Sequence, residues 1–114
     1  MKILLILKVI VSVATAATGL LALVKPTAIY DFTGLTASGA RGISEIRAIF
    51  GGLFIALGIA PLFFGNTGYS MLGIGYLTIA AVRLVSIFID RSTASSNLIS
   101  LAIEIGFGVI LVVR

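Results

Sequence analysis

The stretch GISEIRAIFGGLFIALGIAPLFFGNTG, residues 42–68, decides the fold of this 114-residue chain. It is apolar for most of its length, with charges only at Glu45 and Arg47. Residues 42–64 are long enough to cross a bilayer, which takes about 20 helical residues. The closing GNTG has room only for a tight turn, so the apolar residues that follow must fold back against this stretch. It therefore predicts a hairpin of two membrane-spanning helices.

Three further stretches have the length and hydropathy of membrane spans. The dipeptide KP at residues 25–26 ends the first span, and DRSTASSN at residues 90–97 separates the third from the fourth. Backbone polar groups in hydrocarbon must be satisfied within the protein, which favours helices. The predicted fold is all-α, one domain over residues 1–114. It is a four-transmembrane-helix up-down bundle with spans at about 3–24, 42–64, 69–89 and 97–113.

The composition places the chain in a membrane and excludes several kinds of site. Hydrophobic residues make up 60% and charged residues 11%, against roughly 25% charged in soluble domains. We expect a multi-pass protein of the cell membrane, of the bacterial cytoplasmic type, with the lipid bilayer as its surroundings. Cys and His are both absent, so we predict no metal and no cofactor. The net charge of +4 is scattered, which argues against a nucleic-acid partner.

The first span also has two features of a secretory signal peptide. It has a basic start at Lys2 and the small-residue sequence ATA at residues 14–16. Apolar residues continue past Ala16 as far as Val24, so we expect the segment to be retained as a span.

The positive charges do not decide how the protein is oriented. An even number of spans places both ends of the chain on one side. The two sides carry equal numbers of basic residues, so the positive-inside rule gives no orientation. These residues are Lys2, Lys8 and Arg114 on the side of the chain ends, and Lys25, Arg41 and Arg91 on the other.

The long connection KPTAIYDFTGLTASGAR, residues 25–41, predicts a short helix in the membrane interface. Pro26 suits the first position of a helix and Gly34 the residue after its end. The apolar residues between them, Ile29 included, would then face the acyl boundary. The alternative is a lid over a site on that side, formed by Tyr30, Asp31 and Phe32.

Four charged residues fall at similar depths in the predicted membrane. With about 1.5 Å per residue, Glu45 and Arg47 lie about 5 to 8 Å inside, and Arg83 and Glu104 about 10 Å inside. Intramembrane charges are rare and either pair with one another or mark a functional site. Both interpretations remain open at this point. The predicted binding or structural polar cluster consists of Glu45, Arg47, Arg83, Glu104, Asp90, Asn97 and Ser100.

Helical spacing indicates which faces lie inside the bundle. Three stripes follow the period of a helix. They are Lys8, Ser12, Thr15, Gly19 and Ala22 in the first span, Tyr76, Arg83 and Asp90 in the third, and Asn97, Ser100, Glu104 and Gly108 in the fourth.

The second span should contact neighbours on two sides. At the angular spacing of a helix, Glu45 shares a face with Gly52, whereas Arg47 shares another with Gly51 and Gly58. We predict that Arg83 is bonded to both Glu45 and Glu104. Arg47 should pair elsewhere, with Asp31 or a lipid phosphate.

Several segments together resemble a bacterial family of small four-helix membrane proteins. The segments are SEIRAIFGG at 44–52, P…YDFTGL at 26–35 and VRLVSIFID at 82–90, together with the late Glu104. That family is known as a domain of unknown function and is distantly similar to DoxX proteins, and EIRA-x-x-GG is the most specific part of the match. The resemblance implies a four-helix bundle and no established activity. DoxX-like proteins are associated with oxidoreductase complexes and stress responses, but this chain has no redox motif.

Three functions are consistent with these observations. The first is a non-catalytic accessory subunit or a binder of a small lipophilic or anionic ligand, such as a lipid or quinone. The second is a proton-coupled small transporter acting as a homodimer. Size and span number resemble the small multidrug-resistance transporters, whose first helix carries a Glu where this chain has only Lys8. The third is a quinone-linked redox accessory within a membrane complex.

Overall fold

A computed structural model describes residues 2–114, and helices account for most of them. Four of the helices are long and apolar enough to cross a membrane, which fits a multi-pass membrane protein. These four helices lie where the spans were predicted, and the third begins earlier than expected because Asn66 and Thr67 already belong to its first turn. The helices are α1 (Lys2–Val24), α2 (Tyr30–Thr33), α3 (Ala40–Phe64), α4 (Asn66–Ile89) and α5 (Ser95–Val112).

Helices α3 and α4 form the predicted hairpin, with a shorter turn than the sequence suggested. Gly65 alone connects them, at φ 64°, a conformation that glycine adopts without strain. A Cβ atom at Gly68 would lie 2.6 Å from the Cα of Pro61, so the two helices touch at backbone distance directly after the turn.

Small residues bring α1 and α3 into backbone contact. A Cβ atom at Gly58 would lie 2.5 Å from the backbone nitrogen of Ala16 and 2.6 Å from the carbonyl oxygen of Ser12. A Cβ atom at Gly19 would lie 2.7 Å from the carbonyl oxygen of Gly51. Close approach through small residues is how membrane helices associate without a hydrophobic driving force. Gly73 and Gly108 bring α4 and α5 together by making room for side chains of the facing helix, Leu111 and Val112 at Gly73 and Leu77 at Gly108.

The interior face of α1 is the one that the spacing predicted. Its buried residues are the whole predicted stripe, which is Lys8, Ser12, Thr15, Gly19 and Ala22, and in addition Val11. On the side of the chain ends, Val11 packs with Tyr69, Leu72 and Leu111. The α1 stripe therefore faces α4 and α5 as well as α3.

Residues Ile46–Leu53 of α3 form a π-helical stretch, in which hydrogen bonds run from residue i to i+5. Such turns are wider than α-helical ones, so they change the rotation of the residues before the stretch relative to those after it. The prediction that Glu45 and Gly52 share a face against a neighbouring helix is wrong, because both are exposed. Gly51 packs against α1 as predicted. A Cβ atom at Gly51 would lie 3.1 Å from the Cα of Leu23.

The connection after α1 contains the predicted short helix in two parts. A 3₁₀ turn at Pro26–Ile29 leads into α2, which ends at Thr33 and is followed by Gly34 with φ 73°. The expectation that Ile29 faces lipid is wrong. Its side chain is buried against Ala22 and Ile46, because the 3₁₀ turn folds back on the end of α1.

Candidate functional site

The centre of the site is an ion pair between α4 and α5. Arg83 donates from Nε to Oε1 of Glu104 at 2.8 Å and from Nη2 to Oε2 at 2.7 Å. This two-pronged geometry is the strongest arrangement of a guanidinium and a carboxylate. The Glu104 side chain is 11% exposed and that of Arg83 is 31% exposed, so most of the surface of the pair is covered by the rest of the protein.

Asn97 extends the ion pair into a network. Its Oδ1 accepts a hydrogen bond from Nη1 of Arg83 at 2.7 Å. Its Nδ2 donates to the carbonyl oxygen and the hydroxyl of Ser92, both at 2.9 Å. The network thus joins the middle of α5 to α4 and to the loop between the two helices. We refer to Arg83, Glu104 and Asn97 as the arginine cluster.

Glu45 and Arg47 do not belong to this cluster, so the prediction that Arg83 bonds both carboxylates is wrong. Glu45 accepts a hydrogen bond from Nη1 of Arg41 at 2.6 Å, one turn earlier in α3, and the two side chains are 56% and 79% exposed. Arg47 donates instead to the carbonyl oxygen of Leu23 at 3.1 Å. It therefore satisfies the end of α1 rather than pairing with Asp31. The shared depth of these residues did not indicate contact.

None of the remaining predicted site residues bonds to the arginine cluster in the described part of the chain. Asp90 is exposed and accepts a hydrogen bond from Ser86 at 2.6 Å. Ser100 is half-buried one turn before Glu104. The three residues of the predicted lid are exposed and line none of the cavities described below; they are Tyr30, Asp31 and Phe32.

A second polar contact joins α1 to α4. The Thr15 and Tyr76 hydroxyl oxygens are 2.5 Å apart. Because Thr15 donates its own proton to the carbonyl oxygen of Val11, Tyr76 is the donor in this pair. The Tyr76 ring packs edge-on against Phe107, which lies one turn after Glu104, with ring centroids 5.5 Å apart. The hydroxyl pair and the arginine cluster therefore belong to one interior face of the bundle.

An apolar cavity of about 120 Å³ lies between α1, α3 and α4, beside the Thr15–Tyr76 pair. Leu57, Met71 and Ile79 line it and are exposed on the outer surface of the bundle, so the cavity opens sideways. Its full lining is Thr15, Phe54, Leu57, Met71, Leu72, Gly75, Tyr76 and Ile79.

A groove of about 390 Å³ continues from this cavity along the α3–α4 hairpin. The two spaces share three lining residues, Leu57, Met71 and Leu72. The groove ends near Phe64 and Thr67, at the turn of the hairpin. Cavity and groove therefore adjoin each other and form an apolar recess along the outer surface of the α3–α4 hairpin.

Sequence reasoning placed Thr15 and Tyr76 on interior stripes but did not assign them to the site. The signal was present, because Tyr76 lies seven residues before Arg83 and shares its face of α4. The cavity had no such signal. Phe54, Met71 and Gly75 look like ordinary lipid-facing residues until the rotation of α3 and α4 about their axes is known.

Comparison with known proteins gives one match. The family model described as Domain of unknown function (DUF4345) matches residues 3–114. None of the curated proteins and none of the solved structures compared with the chain matches it.

Proposed function

The chain belongs to the family described as Domain of unknown function (DUF4345), and because that description assigns no activity, we propose a function from the site alone. The protein is a non-catalytic membrane protein that binds one small lipophilic molecule taken up from the bilayer. The observation that carries this proposal is the apolar cavity that ends on the Thr15–Tyr76 pair.

The size and lining of the cavity define the ligand. A cavity of about 150 Å³ lined by apolar side chains takes a benzene-sized group, so about 120 Å³ suits a small ring or a short hydrocarbon segment. The adjoining groove lengthens the space for a chain-like molecule. Small-molecule sites are mostly apolar, with few polar groups that fix orientation. A lipid acyl chain and a quinone both have the required chemistry.

The arginine cluster supports this site without binding the ligand itself. Each of the three guanidinium nitrogens of Arg83 already donates a hydrogen bond, two to Glu104 and one to Asn97. Glu104 already supplies the countercharge of Arg83, so the pair has no net charge with which to attract a further anion. We therefore interpret the arginine cluster as a lock that holds α4 against α5 and keeps the Tyr76 face in position.

Filling the cavity tests the proposal. Gly75 lines the cavity, and a Cβ atom there meets no heavy atom within 4 Å, so Gly75→Leu should fold normally. It should weaken binding of a fluorescent fatty acid by about tenfold or more, which corresponds to about 1.4 kcal/mol of lost apolar burial. Gly106→Leu is the matched control, because it adds the same side chain to α5 where nothing lies within 4 Å. Equal binding by both variants would exclude the cavity as the site.

Native mass spectrometry of gently extracted protein identifies the ligand class and separates the alternatives. A bound lipid supports an acyl-chain site, whereas a bound quinone supports the redox-linked, DoxX-like role in a bacterial cytoplasmic membrane. A second polypeptide would indicate an accessory subunit. A proton-coupled homodimeric transporter should release or take up protons with its ligand. For Glu104 to exchange a proton, the two-pronged pair with Arg83 would first have to open.

We also propose that the spans run up and down across the membrane, with both ends of the chain on one side. The chain has no Cys, so single introduced cysteines report position without interference. Cysteines at Thr36 and Ser95 should react with an impermeant maleimide from one side, and a cysteine at Thr67 from the opposite side. Labelling of positions 67 and 95 from the same side would contradict the arrangement.

A further inference from the structure

Lys8 is a buried lysine that forms no ion pair with any of the described residues. The residue is 4% exposed and lies on the interior face of α1. No side-chain carboxylate of residues 2–114 lies within 4.0 Å of its ammonium. The Tyr69 ring lies beside it, with its centroid 5.8 Å from Nζ. The ring can stabilise one side of the ammonium, but it does not neutralise the charge.

Three of the four acidic residues of the chain have partners of their own, and none of the four forms an ion pair with Lys8. Glu45 pairs with Arg41, Asp90 accepts from Ser86, and Glu104 is held by Arg83. The fourth, Asp31, is exposed in α2, after the opposite end of α1.

Ser12 supplies a second, independent observation one turn further along α1. Its residue is 0% exposed, and its Oγ is a buried polar atom for which the described residues provide no hydrogen-bond partner. Hydroxyls inside helices usually bond the carbonyl four residues earlier, as those of Thr15, Thr18 and Thr78 do here. Ser12 does not, so its buried hydroxyl is left without a partner among the described residues.

Residues four apart on a helix face the same way, with about 5–6 Å between their Cβ atoms. Lys8 and Ser12 thus present an unneutralised ammonium and an unused hydroxyl to the same part of the interior. A charge in a membrane interior needs a countercharge, and a hydroxyl can donate a hydrogen bond to it. A group that meets both requirements is small and carries a single negative charge.

We infer that Lys8 and Ser12 form a binding site for a small anionic group, which enters from the face of the membrane where α1 begins. The charged group is either a free anion such as chloride or the phosphate of an anionic lipid. This site is separate from the apolar cavity and does not depend on the proposed function.

Thermal unfolding in an uncharged detergent tests the inference, because a ligand that binds only the folded state raises the melting temperature. Wild-type protein in sodium gluconate, whose anion is too bulky for a buried site, is the reference at matched ionic strength. Sodium chloride or added phosphatidylglycerol should raise the melting temperature by several degrees, and the rise should saturate. A response to chloride assigns the site to a free anion, and a response to phosphatidylglycerol alone assigns it to a lipid headgroup.

Variants decide whether the response arises at this site. Lys8→Met keeps the length of the side chain and removes the charge, so it should fold and melt in gluconate at least as high as wild type. It should lose the anion response, and Ser12→Ala should weaken it. Lys2→Met is the matched control, since it removes an exposed lysine from the same helix and should keep the full response. No response in wild type to either probe, or an undiminished response in Lys8→Met, would overturn the inference.

Discussion

Gly58→Ala is expected to lower the free energy of unfolding by about 3 kcal/mol. This is the upper end of the range of about 1–3 kcal/mol for overpacking. The added Cβ atom would lie 2.5 Å from the backbone nitrogen of Ala16 and 2.6 Å from the carbonyl oxygen of Ser12. Backbone atoms cannot move aside as side chains do, so α1 and α3 must separate along their contact. Denaturation in mixed detergent micelles measures the change.

The same substitution elsewhere in α3 is the control for this effect. At Gly52 the nearest atom to an added Cβ is 3.9 Å away, which is ordinary contact. Gly52→Ala should therefore be neutral, or stabilising by up to about 1 kcal/mol through the higher helix propensity of alanine. Equal losses at positions 52 and 58 would show that helix conformation, rather than the α1–α3 approach, determines the outcome.

The spans and the buried face of α1 could be predicted because each depends on one segment alone. Span length follows from local hydropathy, and the stripe from Lys8 to Ala22 follows from the helical period. Nothing outside α1 was needed to identify that stripe. The turn at Gly65 was predictable for the same reason, since two apolar segments flank a few turn-forming residues.

Contacts between helices could not be predicted, because they depend on how each helix is rotated. Depth suggested that Glu45 could reach Arg83, and α4 does lie beside α3. The π-helical stretch changes the rotation of Glu45, and Arg41 lies one turn away at a distance that needs no other helix. Glu45 therefore pairs with Arg41 in its own helix instead of with Arg83 in α4.

Lys8, in contrast, occupies a position whose burial the helical period does predict. A lysine near the beginning of a membrane helix can extend its ammonium back to the membrane surface. The stripe that contains Lys8 faces the bundle, and packing with Tyr69 keeps the side chain inside. The same stripe that correctly identified the buried face of α1 therefore also predicted the burial of Lys8.

Arg83→Ala should lower the free energy of unfolding by about 3 kcal/mol, because it leaves the Glu104 carboxylate buried without its cation. The value lies at the low end of the range for buried pairs, since the Arg83 side chain is 31% exposed. Glu104→Gln should cost less, because the amide can still accept a hydrogen bond from Arg83.

The double variant Arg83→Ala with Glu104→Gln should be more stable than the sum of the single losses predicts, by about 1 kcal/mol or more. The reason is that the second substitution removes the unpaired charge that the first one creates. The exposed pair Arg41–Glu45 is the matched control, and Arg41→Ala should cost no more than about 1 kcal/mol. Unfolding in detergent measures all four variants. Strictly additive losses at positions 83 and 104, or equal losses at positions 41 and 83, would mean that the arginine cluster does not lock α4 to α5.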